Sequence, residues 1–343
     1  MDAELAEQIR ANLIDKRAHM KEWLEKADPS EKQLQLGTAD ENAVQAHLEV
    51  IDRSLERADS DELGVCIICH GEIESGLLEM DYTAAVCLED LSVEEKRGLE
   101  RELELAQTVQ RSLLPQELPE IPTLEIAAFS RPAQMVGGDY FDFFQFRDQA
   151  HGLAIADVAG HGISASLHMA SIQTLLRTLI PSSDSPQEVV EHVHRLLVHN
   201  IRFDNFVTLF LSSYNPATQT LVYCNAGQNP PLLLHQGQAA GDPVTWLWPT
   251  SPAVGLVERP TLQQASIKLL AGDILVLYTD GVTEAMNARN EQFGPQRLEQ
   301  AVRRWSGGSV KDIIQGIRQD VNQFTGRETQ EDDITILVCR VVG

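Results

Sequence analysis

The sequence predicts an α+β protein: a sandwich of β-sheets covered by helices, preceded by a helical hairpin, a small cysteine-bearing finger and a connecting helix. Three observations carry this reading. After Pro115, Pro119 and Pro122 the pattern changes to strand-like runs at 124–129, 140–146, 152–157, 206–214, 219–225, 231–235, 264–270, 273–279 and 333–341. Helical stretches interrupt them in two pairs, 162–180 with 186–202 and 296–305 with 309–325. Many strands with helices in pairs fit helices laid over sheets rather than regular βαβ winding. Before the prolines, apolar residues recur at three- and four-residue steps, the period of amphipathic helices.

The N-terminal elements follow from that period. Leu5, Ile9 and Leu13 place a helix over residues 4–26, and Val44, Leu48, Ile51 and Leu55 place another over about 40–60. The polar segment ADPSEKQLQLGTADEN joins them as a hairpin connection. Residues 64–90 break the pattern and hold Cys66, Cys69 and Cys87. A strong helix resumes over 92–114, with Leu99, Leu103, Ala106, Gln110 and Leu113 on one seam at alternating four- and three-residue spacing. That seam fits either a coiled-coil homodimer or burial against the next domain. The prolines close this helix. The expected organisation is therefore a regulatory hairpin and finger over 1–91, a linker helix over 92–116 and a sandwich domain over 117–343.

Composition narrows the function classes. The 343 residues, 43% of them apolar, suffice for a sizeable core. A formal net charge of −24 argues against sequence-independent nucleic-acid binding and against docking on anionic membranes. It favours divalent cations and basic protein surfaces. No apolar run reaches the length of a membrane span, and the charged N-terminus lacks a signal-peptide core, so the expected location is cytoplasmic. Five cysteines do not make a secreted disulfide framework. Cys224 and Cys339 read as small buried hydrophobes.

Four acidic segments stand where strands would end: GGDYFD around Asp139, ADVAGHG around Asp157, YTDG around Asp280 and EDDIT around Asp332. Aspartates beside glycines on rigid strand ends are how precise metal sites are built. Brought together without an ion, carboxylates would repel by about 4 kcal/mol per pair near 4 Å at an effective dielectric of 20, and their pKa values would rise. Hard divalent cations prefer such oxygen ligands. Two of them roughly 3.5–4 Å apart supply both the positive charge and the nucleophile that phosphomonoester hydrolysis needs. Asp142 and Asp273 read as structural, and His161 as a helix-start residue near enough to assist proton transfer.

The ordered segments LAQTVQRSLLPQELP, RPAQMVGGDYFDFF, IADVAGHGISASLHMA, NAGQNPPLLL, YTDGVTEAMN and EDDITILV resemble the SpoIIE/RsbU-like branch of the metal-dependent, PPM-type serine/threonine phosphatases, over about residues 105–341. The resemblance implies an αββα sandwich with a binuclear Mn²⁺ or Mg²⁺ centre. Asp157 would bridge the ions with the carbonyl of Val158 beside it, and Asp139, Asp280 and Asp332 would complete the ligand set. Gly138, His161, Gly281 and Asp333 would support it. The implied reaction is attack on phosphorus by a metal-activated hydroxide, with no phosphoenzyme. The implied substrate is a phosphorylated anti-sigma-factor antagonist in a partner-switching pathway, and the implied control is an N-terminal module acting through the linker helix and dimerisation. Gln228 departs from the pattern, which has histidine after NAG. No arginine stands out as a phosphate clamp; Arg131 is the candidate the motifs offer.

The spacing Cys66-x₂-Cys69-x₁₇-Cys87 is that of a zinc ribbon, with Asp90 where a fourth cysteine belongs. Residues 5–90 resemble the DksA/TraR-type zinc-finger family through GVCIICHGEI and AAVCLED. One structural zinc, a degenerate finger and a redox-labile thiol cluster are the three readings of this segment. That family also implies contact with RNA polymerase. The rivals to an enzyme are therefore a pseudophosphatase that only docks partners and a polymerase-binding regulator.

Overall fold

The computed structural model describes residues 3–26, 41–60, 62–74, 77–78, 82–87, 89–160, 162–198, 206–236, 243–326, 330 and 332–342. The chain divides into two compact units, 1–102 and 103–343, the division falling inside the linker helix.

In the first unit, α1 (Ala3–Lys26) and α2 (Glu41–Asp59) form the expected hairpin. The ion pairs Arg10–Asp59 and Arg17–Asp52 set them antiparallel. Such exposed pairs contribute about 0–1 kcal/mol each; the apolar stripe carries the packing. Ile9, Leu13 and Ile51 bury against Leu63, Ile73 and Leu78 of the finger. The polar connection between the helices lies outside the described residues. Helix α3 (Val93–Leu113) opens with a reciprocal cap, Ser92 Oγ accepting from the Glu95 N–H while Glu95 Oε2 accepts from the Ser92 N–H. The seam residues Leu99, Leu103, Ala106, Gln110 and Leu113 are all half-buried, whereas Leu105 and Val109 on the other side are exposed.

Among the described residues the second unit holds ten strands: β1 (Leu124–Arg131), β2 (Tyr140–Gln145), β3 (His151–Val158), β4 (Val207–Asn215), β5 (Thr220–Ala226), β6 (Leu232–Leu234), β7 (Val244–Trp246), β8 (Ala265–Lys268), β9 (Ile274–Tyr278) and β10 (Ile334–Val341). They form two five-stranded antiparallel sheets, ordered β1-β10-β9-β6-β7 and β2-β3-β4-β5-β8. Helices α4 (Gly162–Leu179) and α5 (Pro186–Leu197) cover the second sheet; α7 (Gly294–Trp305) and α8 (Val310–Thr325) cover the first. This is the αββα sandwich.

Three apolar layers follow from the two-residue period of a strand. In β9, Leu275 and Leu277 face the space between the sheets, while Ile274, Val276 and Tyr278 face α7 and α8. In β3, Leu153 and Ile155 face inward and Ala154 and Ala156 face α4 and α5. Both faces of the inner strands are buried, so their sequences run apolar without alternation. Two elements escaped the sequence reading. The three-residue β7 lacks the length for a periodic signal, and α6 (Asp280–Thr283) is a single turn inside the YTDG motif. The helix expected over 186–202 is seen to Leu197; residues 199–205 lie outside the described residues.

Asp142 anchors α4 to β2. It is 2% exposed and accepts from Arg177 Nε at 2.8 Å, Arg177 Nη2 at 3.2 Å, the Tyr140 hydroxyl at 2.6 Å and the Phe143 N–H at 2.8 Å. Removing one partner of a buried pair leaves an uncompensated charge, which costs about 3–5 kcal/mol for a fully buried pair and less where, as here, the arginine is half-exposed. Arg177→Ala is therefore expected to lower unfolding free energy by about 2–3 kcal/mol in urea titrations; a change within experimental error would show that the pair does not hold this layer.

Candidate functional site

The four acidic motifs converge from both sheets at one edge of the sandwich. Asp139 immediately precedes β2 and Asp157 is the penultimate residue of β3, so the second sheet supplies two carboxylates. Asp280 follows β9 as the first residue of α6, and Asp332 stands two residues before β10, so the first sheet supplies the others. The register pairs Asp157 with Thr208 on β4.

The electrostatics record the crowding. Burial first, then the charges of Asp280, Asp332, Asp333 and Glu284, push Asp157 up to about 8. Burial, then Asp332 and Glu284, pushes Asp280 up to about 6. Asp139, 6% exposed, is raised well above the carboxylate range by burial and then by Asp157 and Asp333. Its Oδ2 accepts from Thr279 Oγ1 at 2.8 Å, but among the described residues its buried Oδ1 has no hydrogen-bond partner. An orphaned carboxylate oxygen inside a cluster of raised carboxylates is the signature of a place built for cations.

Neighbouring backbone completes the donor set. A Cβ on Gly138 would stand 2.8 Å from the Val158 carbonyl oxygen, and one on Gly281 would stand 2.1 Å from the Asp333 carbonyl. Only glycine leaves the Val158 carbonyl uncovered and lets α6 approach the start of β10. Asp333 does not compete for the same space. Its carboxylate accepts from the N–H groups of Ala133 at 2.7 Å, Gly138 at 2.7 Å and Asp139 at 3.4 Å, tying the Asp139 loop to β10. Asp332 is exposed, and its Oδ1 accepts from the Asp333 N–H at 2.8 Å. His161 lies outside the described residues.

Several supporting residues were not assigned from sequence. Thr279 donates to Asp139 across the sheets and accepts from the Thr335 N–H at 2.9 Å. Gln228 accepts from Thr208 Oγ1 at 2.5 Å and donates to the Tyr278 carbonyl at 3.1 Å, so it pins β4 to β9 beneath the carboxylates. Gln110 of α3 brackets Gly137, donating to its carbonyl at 2.5 Å and accepting from its N–H at 3.1 Å. The polar break in an apolar seam was the available signal for Gln110. Thr279 was visible only as the neighbour of Asp280.

The first unit carries a second cluster. The Cys66, Cys69 and Cys87 sulfurs and an Asp90 oxygen all lie within 4.8 Å of one another. Cys69 and Cys87 sulfurs are 3.7 Å apart, and Asp90 Oδ2 is 3.3 Å from Cys66 and 3.2 Å from Cys87. Tetrahedral zinc with Zn–S bonds near 2.3 Å requires sulfurs about 3.8 Å apart. The N–H groups of Ile68 and Gly71 point at the sulfurs of Cys66 and Cys69, each at 3.4 Å, the outer-shell donors a thiolate knuckle needs. The donor set fits one tetrahedral ion.

Comparison with known proteins places the sandwich. Residues 147–342 match the family described as stage II sporulation protein E (SpoIIE). The chain is 28% identical over 245 residues to phosphoserine phosphatase RsbU of Bacillus subtilis (strain 168), covering 71% of each chain. It is 30% identical over 193 residues to phosphoserine phosphatase RsbP of the same organism, covering 55% of this chain and 47% of that one. The SiaA-PP2C domain of Pseudomonas aeruginosa shares the fold at a TM-score of 0.60 and 20% identity, over 73% of this chain and 99% of the other. The RsbU and RsbW domains of Rv1364c from Mycobacterium tuberculosis follow at 0.54 and 25%, over 67% and 63%. The family match falls wholly in the second unit, takes in Asp157, Asp280 and Asp332, and spans more than half of the sequence: the chain belongs to the SpoIIE family.

Proposed function

We propose that this chain is a divalent-metal-dependent phosphoserine/phosphothreonine protein phosphatase, and that its centre is the carboxylate cluster at the sandwich edge. The observation that carries the proposal is the buried, unpartnered Oδ1 of Asp139 among the raised carboxylates of Asp157 and Asp280. Asp139, Asp157, Asp280, Asp332 and the Val158 carbonyl would hold two Mn²⁺ or Mg²⁺ ions. Bound there, such ions polarise a phosphoryl oxygen and generate a nucleophile from water at neutral pH. The chain's own residues hold that arrangement. Thr279 fixes the rotamer of Asp139, Asp333 fixes the loop that carries it, and Gln228 locks the two sheets at the height of Asp157 and Tyr278.

The substrate in this reading is a phosphorylated protein, an anti-sigma-factor antagonist of a partner-switching pathway. Similarity to relatives named phosphoserine phosphatase supports it. The first unit is the regulatory input, acting through α3, whose Gln110 holds the backbone beside Asp139; a homodimer through α3 and a cytoplasmic location complete the proposal. Among the described residues no helix is long and apolar enough to cross a membrane. Cys66, Cys69, Cys87 and Asp90 would hold one structural zinc.

Three outcomes test this. Hydrolysis of p-nitrophenyl phosphate by the purified chain is expected to require Mn²⁺ or Mg²⁺ and to fall at least a hundredfold, by about 2.7 kcal/mol, in Asp157→Ala or Asp280→Ala; a variant retaining most of the rate would remove these residues from the centre. The second outcome follows from the raised carboxylates. An acid whose folded pKa lies above its unfolded value binds more protons folded than unfolded, so stability falls as pH rises between the two. In EDTA the urea midpoint should therefore decline from about pH 4 to about pH 8, the window set by Asp157, and saturating Mn²⁺ should remove the decline. A flat profile in EDTA would mean that the carboxylates do not share one dry site. Third, elemental analysis should find one zinc per chain, lost in Cys87→Ser, with Co²⁺ substitution giving thiolate charge-transfer absorption; a metal-free chain whose Cys87→Ser variant melts at the same temperature would exclude the zinc.

A further inference from the structure

Beside the carboxylate cluster lies a cleft that the proposed chemistry leaves unused. It is a small recess, partly open to solvent, with room for about 30 Å³. Arg131 at the end of β1 and Arg318 on α8 line it together with Phe129, Val282, Asn322 and Gln330. The two guanidinium groups are close enough that Arg131, after burial, depresses the pKa of Arg318. Among the described residues neither has a carboxylate partner, in a chain that carries 51 acidic residues and a net charge of −24. Two adjacent like charges with no carboxylate partner among the described residues repel each other, and an anion placed between them relieves that repulsion.

The cleft is also held in shape. The Arg318 guanidinium carbon stands 3.7 Å from the centroid of the Phe129 ring, which fixes its planar fork by cation–π contact. Gln330 Nε2 donates to the Arg131 carbonyl at 2.7 Å and to the Asp332 carbonyl at 2.6 Å, so one side chain ties the backbone of Arg131 to that of the acidic motif. Arg131 pairs in register with Ile334, two residues beyond Asp332 and roughly 7 Å along the strand. Val282 enters the wall two residues after Asp280. An extended peptide advances about 3.3 Å per residue. A phosphorylated residue over the carboxylate cluster would therefore bring a side chain one or two positions away to the arginines.

We propose that Arg131 and Arg318 form a specificity subsite that takes a carboxylate flanking the phosphorylated serine or threonine of the protein substrate; this rests on the phosphatase reading of the same centre. Paired guanidinium forks match the planar carboxylate, and Asn322 and Gln330 offer neutral amides at its edge. Basic sequences around the phosphorylated residue are disfavoured by the same charges.

The test compares two phosphoserine peptides, one with glutamate and one with glutamine at the two positions on each side, using the full chain with Mn²⁺. Affinity is read by fluorescence anisotropy and turnover by phosphate release. The glutamate peptide is expected to be favoured about tenfold. Arg131→Gln, an exposed residue, and Arg318→Gln are expected to bring that ratio to about one, with Arg318→Lys retaining part of it. The ratio compares two ligands of the same sample, so partial unfolding of a variant does not imitate the result. No preference in the unmodified chain, or the same preference in both glutamine variants, overturns the subsite. An arginine-dependent binding preference without turnover of either peptide keeps the subsite and removes the phosphatase reading; turnover without preference does the reverse.

Discussion

Mutual repulsion among carboxylates is the constraint on which the rest of the second unit depends. Asp139, Asp157, Asp280, Asp332 and Asp333 approach from two different sheets into a site where burial is the first cause of every raised pKa. At an effective dielectric of 20, two ionised carboxylates 4 Å apart would repel by about 4 kcal/mol, and by less at larger separations. A single loop could not hold them. The sandwich does so because each aspartate stands at the end of a strand buried on both faces, and because Thr279, Gln228 and Asp333 bond one sheet or loop to the next at the height of the charges.

The candidate site is shared between the two sheets. Neither sheet alone supplies more than two of the four motif aspartates, so its geometry depends on the relation between sheets and on the loop that carries Asp139. Asp333 and Gln110 hold that loop through backbone groups, the first from β10 and the second from α3. Bonds to backbone carry position without competing for the carboxylates. The cysteine cluster organises the base of the helical hairpin in the first unit, where Cys66 and Cys87 are buried in the same apolar cluster as Ile9 and Ile51.

Sequence and structure agree most closely where a pattern is periodic and local. The helices over 162–179, 294–305 and 310–325 and nine of the strands were legible because burial on one or both faces imposes a repeat on the residues themselves. A helix-covered sandwich was legible from the grouping of helices, and its αββα form and the family from the resemblance carried by six ordered motifs. Short elements without a full period, β7 and α6, were not.

The sequence by itself offered the four aspartates as candidates and set glycine beside Asp139 and Asp280, because those residues are adjacent in the chain and their chemistry is intrinsic. Only the tertiary structure decided how they are held. Gln110 reaches Gly137 over 27 residues, Thr279 reaches Asp139 over 140 and Asp333 reaches Gly138 over 195. Arg131 and Arg318 likewise meet only because β1 pairs with β10 beneath α8. Threonine, glutamine and arginine take a role from what they touch, and contacts across such separations leave no period in the sequence; they exist only once the sheets have paired.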